Sequence, residues 1–139
     1  MTRWLIFWSA LSAAVAVAMG AFGAHALRDY LPTIHPAENV ARMEANWETA
    51  ARYQLIHAVG AIAATLALVQ LRPHVPRVHF SQWLPVFCLL VGPLIFSGCL
   101  YAMVLGAPKI LGAVVPIGGL LMIVGWTGLA VFCWPSKSR

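Results

Sequence analysis

The chain has 139 residues, of which 61% are hydrophobic and 9% are charged. Soluble domains contain roughly 45–50% apolar and about 25% charged residues, and a small domain buries only a modest share of its surface. This composition therefore excludes a water-soluble domain. Nine basic residues against four acidic ones give a net charge of +5, but the basic residues stand singly along the chain. That spacing indicates contact with lipid headgroups and argues against a nucleic-acid partner.

Four apolar stretches fill most of the chain, at about residues 4–25, 49–71, 83–105 and 110–134. A helix rises about 1.5 Å per residue and a hydrocarbon core is about 30 Å thick, so about 20 apolar residues span it. Each stretch meets that length. The sequence therefore predicts an all-α fold in which residues 1–139 form one transmembrane domain, a four-helix bundle.

The placement of Lys and Arg near the span ends predicts the orientation, since basic loops stay in the cytoplasm. With four spans, the two termini and the second connection share one face of the membrane, and the first and third connections share the other. The first face carries Arg3, Arg72, Arg77, Lys137 and Arg139, and the second carries Arg28, Arg42, Arg52 and Lys109. Five against four favours cytoplasmic termini. We expect a multi-pass protein of the bacterial inner (cytoplasmic) membrane.

The first connection, at about residues 27–48, is long enough to hold structure of its own. Pro32 and Pro36 are expected to interrupt it, and Pro36 suits the first turn of a following helix. That helix can lie along the membrane surface, or it can be an outward extension of the second span. We favour the extension because no helix breaker separates Trp47 from Tyr53.

Tryptophan and proline predict two further local features. Tryptophan rings favour the headgroup level, which places Trp47 at the outer interface and several others at the cytoplasmic one. These others are Trp4, Trp8, Trp83 and Trp134. Pro93 and Pro116 lie within the third and fourth spans, where each is expected to kink its helix.

Polar residues inside the spans form the candidate site, because such residues are costly in hydrocarbon. They concentrate in the half of the bundle that lies away from the termini, and we call this set the outer polar layer. Its members are His25, Arg52, Tyr53, Gln54, His57, Ser97 and Tyr101. Members three or four residues apart share a helix face, which we expect to point into the bundle interior, where its groups can find partners.

Three interpretations of the outer polar layer remain open. Its members can form an interhelical hydrogen-bond network, worth about 0.6 kcal/mol per bond. His25 and His57 can together ligate a haem or a metal ion. His57 can also act in a proton or quinone site, with Tyr101 and Arg52 as partners. Two histidines without a carboxylate or thiolate are a weak signal for a metal, so we predict no metal site and specify no cofactor.

Several short motifs carry a resemblance to a known family. They are Gly20–Leu27, Trp47–Ala50, Tyr53–Gln54 with His57–Ala58, Phe96–Tyr101, Pro116–Gly119 and Gly125–Trp126. In this order they resemble the small multi-pass membrane family of unknown function that includes transmembrane protein 256. The resemblance implies a four-helix integral membrane protein and no reaction. Its motifs contain most of the outer polar layer.

We therefore expect a non-enzymatic protein, a structural or accessory subunit that packs against a larger membrane complex or against copies of itself. The short connections leave no room for a soluble catalytic domain, and the spans contain no paired carboxylates or metal triad. The alternative is a protein that binds a hydrophobic small molecule or cofactor (haem, quinone or lipid) in the outer half of the bundle. Membrane lipid is the partner expected in either case.

Overall fold

A computed structural model of the protein describes residues 1–71 and 80–134. Within these ranges the chain forms helices and no strand, which confirms the all-α prediction. The helices are α1 (Thr2–Ile34), α2 (Ala37–Leu71), α3 (Leu84–Val104) and α4 (Val115–Phe132), with short 3₁₀ turns at Phe80–Trp83 and Lys109–Ala113. All four helices, with the preceding 3₁₀ turn counted into α4, are long and apolar enough to cross a membrane.

The four helices pack in chain order as a row. Helix α2 lies between α1 and α3, and α4 packs against α3, whereas α1 and α4 share no contact of comparable extent. Among the described residues, each helix therefore packs chiefly against its neighbours in the chain. Lipid tails solvate an apolar helix face as well as another helix does, so α1 and α4 have no hydrophobic need to cover each other.

Neighbouring helices run antiparallel, so the start of α1 and the end of α4 lie at the same end of the helix axes. The side of the membrane on which this end lies stays a prediction. The second connection, at residues 72–79, and the C-terminal residues 135–139 lie outside the described residues. Four of the five basic residues that suggested cytoplasmic termini belong to these segments.

The first connection is almost entirely helical. Helix α1 continues through Pro32 to Ile34, and α2 begins at Ala37, directly after Pro36. This confirms that the second span extends outward, and it shows that Pro32 does not interrupt the first helix. Pro32 is exposed, so the carbonyl that loses its helical partner lies near the helix end, where water can replace the bond.

Helices α3 and α4 touch through glycines that bring their backbones together. A Cβ atom built on Gly118 would lie 2.6 Å from the backbone nitrogen of Phe96, and one built on Gly92 would lie 2.9 Å from the carbonyl oxygen of Gly118. Small residues at such positions allow the close packing that holds membrane helices together. The α3–α4 contact therefore depends on the absence of side chains at Gly92 and Gly118.

The predicted kink at Pro116 is wrong, whereas the predicted depth of the tryptophan rings in the bilayer stays a prediction. Pro116 lies in the first turn of α4, where its missing N–H costs nothing, so it starts that helix and does not kink it. Trp47 and Trp83 are each only 2% exposed and belong to the protein core. Their bulk fills the space between helices, whereas Trp4 and Trp134 are exposed as interface residues should be.

Gly118 and Gly119 provide a matched pair of substitutions for the α3–α4 contact. We expect Gly118→Ala to lower stability by about 1–3 kcal/mol, because the new methyl group would overlap the α3 backbone. Gly119→Ala should be neutral or slightly stabilising, since nothing lies within 4 Å of a Cβ at that position. Thermal unfolding of the detergent-solubilised protein measures both, and equal midpoints for the two variants would contradict this close approach.

Candidate functional site

The side chain of Gln54 joins three helices. It lies on α2 and is 4% exposed. Its Nε2 donates to the backbone oxygen of Ser12 on α1 at 3.2 Å and to the Ser12 hydroxyl at 3.4 Å. Its Oε1 accepts a hydrogen bond from the Tyr101 hydroxyl on α3 at 3.1 Å. One amide group therefore ties α2 to both of its neighbours.

Ser97 adds a second link between α2 and α3. Its side chain is fully buried, and its hydroxyl donates to the backbone oxygen of Ala50 at 2.7 Å. That oxygen belongs to the helical ladder of α2, so the serine bonds to a second lone pair of a carbonyl already in use. A hydroxyl buried in hydrocarbon is satisfied in this way without water.

Trp47 completes the contact between α1 and α2. Its indole nitrogen donates to the backbone oxygen of Met19 at 2.7 Å, and its ring centroid lies 4.6 Å from that of Tyr101. The ring fits against Gly23, where a Cβ would lie 2.6 Å from the indole Cδ1. We call Ser12, Trp47, Gln54, Ser97 and Tyr101 the three-helix network.

His57 and Tyr53 lie beside the three-helix network. The His57 Nδ1 donates to the backbone oxygen of Tyr53 at 2.7 Å, within the same helix. The two rings stack at 5.7 Å, and Tyr53 stacks in turn on Phe96 at 5.0 Å. His57 is buried, with its ring 6.1 Å from that of Trp126, whereas Tyr53 is 41% exposed. The rings of Tyr53, His57, Phe96 and Trp126 therefore lie side by side next to the three-helix network.

His25 and Arg52 stay outside the three-helix network, and both are exposed. The expectation that Arg52 points into the interior is wrong, because it lies two residues from Gln54 and successive helical positions turn by about 100°. His25 likewise lies two residues from Gly23 and from buried Leu27, which puts it on the opposite side of α1 from these contacts.

The two histidines of the outer polar layer lie too far apart to share a ligand. Antiparallel α1 and α2 are in register where Gln54 meets Ser12 and Trp47 meets Met19. His57 is therefore level with a residue near position 10 of α1, about 20 Å along the axis from His25. One haem iron or metal ion cannot bridge that distance. In the described part of the chain, no group of three or more His, Cys, Asp or Glu side chains could hold a metal ion.

The buried polar side chains form their hydrogen bonds within the protein. Among the described residues, every buried side-chain nitrogen or oxygen has a hydrogen-bond partner. Two cavities, of about 500 and 550 Å³, lie near the helix ends, and no member of the three-helix network lines either one. The polar side chains of the network therefore bond within the protein and lie away from both cavities.

Sequence reasoning found three members of this network and missed two. Gln54, Ser97 and Tyr101 were recognised as polar residues within spans. Ser12 escapes the prediction because a second span that begins near residue 49 puts Gln54 close to the outer boundary, whereas α2 begins at Ala37 and Gln54 meets Ser12 in the middle of the first span. Trp47 was taken for an interface residue, although the small-residue stretch around Gly23 gave a signal for a large partner.

Comparison with known proteins identifies the family. Residues 19–119 match the family described as "Protein of unknown function (DUF423)". The chain belongs to this family. The match includes the three-helix network except Ser12, and it confirms the resemblance to a small multi-pass membrane family.

Curated relatives cover nearly the full chain. A UPF0382 membrane protein of Staphylococcus epidermidis is 37% identical over 126 residues, which is 91% of this chain and 91% of the relative. A UPF0382 membrane protein of Haemophilus influenzae is 34% identical, covering 93% of this chain and 92% of the relative. The UPF0382 inner membrane protein YgdD of Escherichia coli is 30% identical, covering 94% and 88%. No solved structure matches the chain.

Tyr101 and Tyr53 allow a test of the three-helix network with one type of substitution. Tyr101→Phe removes only the hydroxyl and leaves the Gln54 Oε1 buried without its donor, so we expect a loss of about 1 kcal/mol. Tyr53→Phe should leave stability unchanged, because the structure gives the exposed Tyr53 hydroxyl no partner among the described residues. Thermal unfolding in detergent measures both, and a Tyr101→Phe midpoint equal to that of the wild type would contradict the bond.

Proposed function

We propose that this membrane protein is a small non-enzymatic accessory or structural subunit, which acts by lateral association with a larger membrane complex or with copies of itself. The observation that carries the proposal is the closed three-helix network. Catalysis needs donors, acceptors or nucleophiles that are free to meet a substrate, whereas the side chains of the three-helix network bond to one another and to backbone oxygens. What remains for function is the surface of the helix row.

The two end helices of the row support association as the mode of action. Each has one extensive helix neighbour, so most of its circumference faces outward. On α4 this outward surface is apolar, and it includes Gly119, where a close helix partner would meet no Cβ. Its large exposed side chains are Ile117, Leu120, Ile123 and Val124.

We place the protein in the bacterial inner membrane with both termini in the cytoplasm. The name of the Escherichia coli relative, an inner membrane protein, supports the location. The basic residues of the sequence support the orientation.

Binding of a hydrophobic small molecule is the alternative function, and one observation favours it. A cavity of about 500 Å³ opens between the start of α3 and the end of α4, with mostly apolar walls. The walls include Leu84, Pro85, Ile123, Val124 and Val131. This cavity could take an acyl or isoprenoid chain. Along the helix axes, it lies at the end near the termini, whereas the sequence predicted a ligand in the outer half of the bundle.

Site-specific photocrosslinking in native membranes tests lateral association. We expect a photoreactive residue at Leu120, 61% exposed on end helix α4, to give one discrete adduct with a polypeptide. A residue at Ile56, 52% exposed on the central helix α2, is the control and should react with lipid alone. An adduct of twice the protomer mass would indicate self-association, and a different mass would indicate a larger complex. The absence of a polypeptide adduct at Leu120 would contradict the proposal.

Native mass spectrometry of the gently extracted protein tests the alternative. If the α3–α4 cavity holds a haem, quinone or lipid, the wild type should carry the corresponding extra mass. Val131→Trp should displace it by filling the cavity, and Val131→Ala should retain it. Extra mass that survives Val131→Trp, or a wild type without any, would contradict binding in this cavity.

A further inference from the structure

A cavity of about 550 Å³ lies where the α1–α2 turn meets the connection from α3 to α4. Its walls come from three segments of the chain: the turn itself, the first three turns of α2, and residues 103–109. Its principal side chains are Asn39, Arg42, Met43, Asn46, Met103 and Lys109. Apolar and cationic groups therefore meet in one cavity.

The charge of this cavity has a single sign. Arg42 and Lys109 line it, and its described lining contains no carboxylate. The Arg42 Nη2 donates to the Oδ1 of Asn39 at 2.7 Å, and both residues line the cavity. A guanidinium has five N–H donors, so most of them stay available. Lys109 is exposed and adds a second cationic side chain to the lining, from the connection between α3 and α4.

A hydrogen bond from the α1–α2 turn holds the two walls together. The His35 Nε2 donates to the backbone oxygen of Val104, the last residue of α3, at 2.8 Å. This bond satisfies a carbonyl at the end of α3 that has no helical partner. It also keeps the turn over the end of α3, so that Arg42 and Lys109 face the same space.

The depth of the cavity matches the headgroup region of a bilayer. Helix α3 has 21 residues, about 31 Å at 1.5 Å per residue, which is close to the thickness of the hydrocarbon core. Residues beyond Val104 therefore lie at the level of lipid phosphates. Met43 and Met103 give the cavity apolar walls next to its cations, which suits a group that is anionic at one end and apolar at the other.

We propose that this cavity binds the phosphate group of an anionic lipid, with Arg42 and Lys109 as its charge partners. Arginine pairs with phosphate oxygens in a bidentate manner, and lysine contributes a point charge. Asn39 positions the guanidinium. Inorganic phosphate has the same anionic chemistry, so competition between phosphate and the lipid shows which of the two is the ligand. This cavity contains no residue of α4, so the site does not overlap the α4 surface that we propose for lateral association.

Lipid retention by the purified full-length protein tests the site. The delipidated protein is mixed with phosphatidylglycerol or phosphatidylethanolamine in detergent, and bound lipid is counted by native mass spectrometry. We expect phosphatidylglycerol to bind more tightly, and the double variant Arg42→Gln, Lys109→Gln to bind it about tenfold more weakly or worse. Arg52→Gln is the matched control, since it removes an exposed charge from the same helix away from the cavity, and it should bind as the wild type does.

Competition with inorganic phosphate identifies the source of the anion. Retention of phosphatidylglycerol in millimolar phosphate supports a lipid headgroup, and its displacement supports the same site with free phosphate as the ligand. Equal binding by the double variant and Arg52→Gln would overturn the proposal, as would equal binding of phosphatidylethanolamine by the wild type. The charge-preserving variant Arg42→Lys should fold and keep most of the preference for the anionic lipid.

Discussion

The side-chain amide of Gln54 links α1, α2 and α3, because it bonds to Ser12 on one side and to Tyr101 on the other. In lipid, an apolar helix gains nothing by leaving the tails for another apolar helix, so packing and hydrogen bonds must supply the preference. A residue on the middle helix with partners on both neighbours fixes two contacts at once. Ser97 and Trp47 add further links, since each donates a hydrogen bond to a backbone oxygen of a neighbouring helix.

This way of holding the helices together determines where function can reside. The interior polar groups that looked like a cofactor site are occupied by each other and by backbone carbonyls. At the periphery, two cavities lie at helix ends, and the end helices α1 and α4 face outward. Both of our proposals accordingly concern contacts in the membrane plane and at the headgroup level.

Span number and helix content were predictable from the sequence, because length and hydropathy alone decide them. The polar residues of the interior were predictable in part, since Gln54, Ser97 and Tyr101 stand out in apolar surroundings. The partners of these residues were not, because register between helices leaves no mark in a single sequence. Ser12 looked remote from Gln54 for that reason, and the inclusion of Arg52 overlooked the turn of a helix over two residues.

The α1–α2 turn, tied by His35 to the end of α3, has a consequence for whatever approaches that face of the membrane. Trp47 is level with Tyr101, so Glu44 is level with Val104, and the first two turns of α2 rise beyond α3 by about 10 Å. This raised end is a hairpin of two helices with charges of both signs. A soluble molecule that approaches from that side contacts the charged end of this helical hairpin before it reaches the lipid.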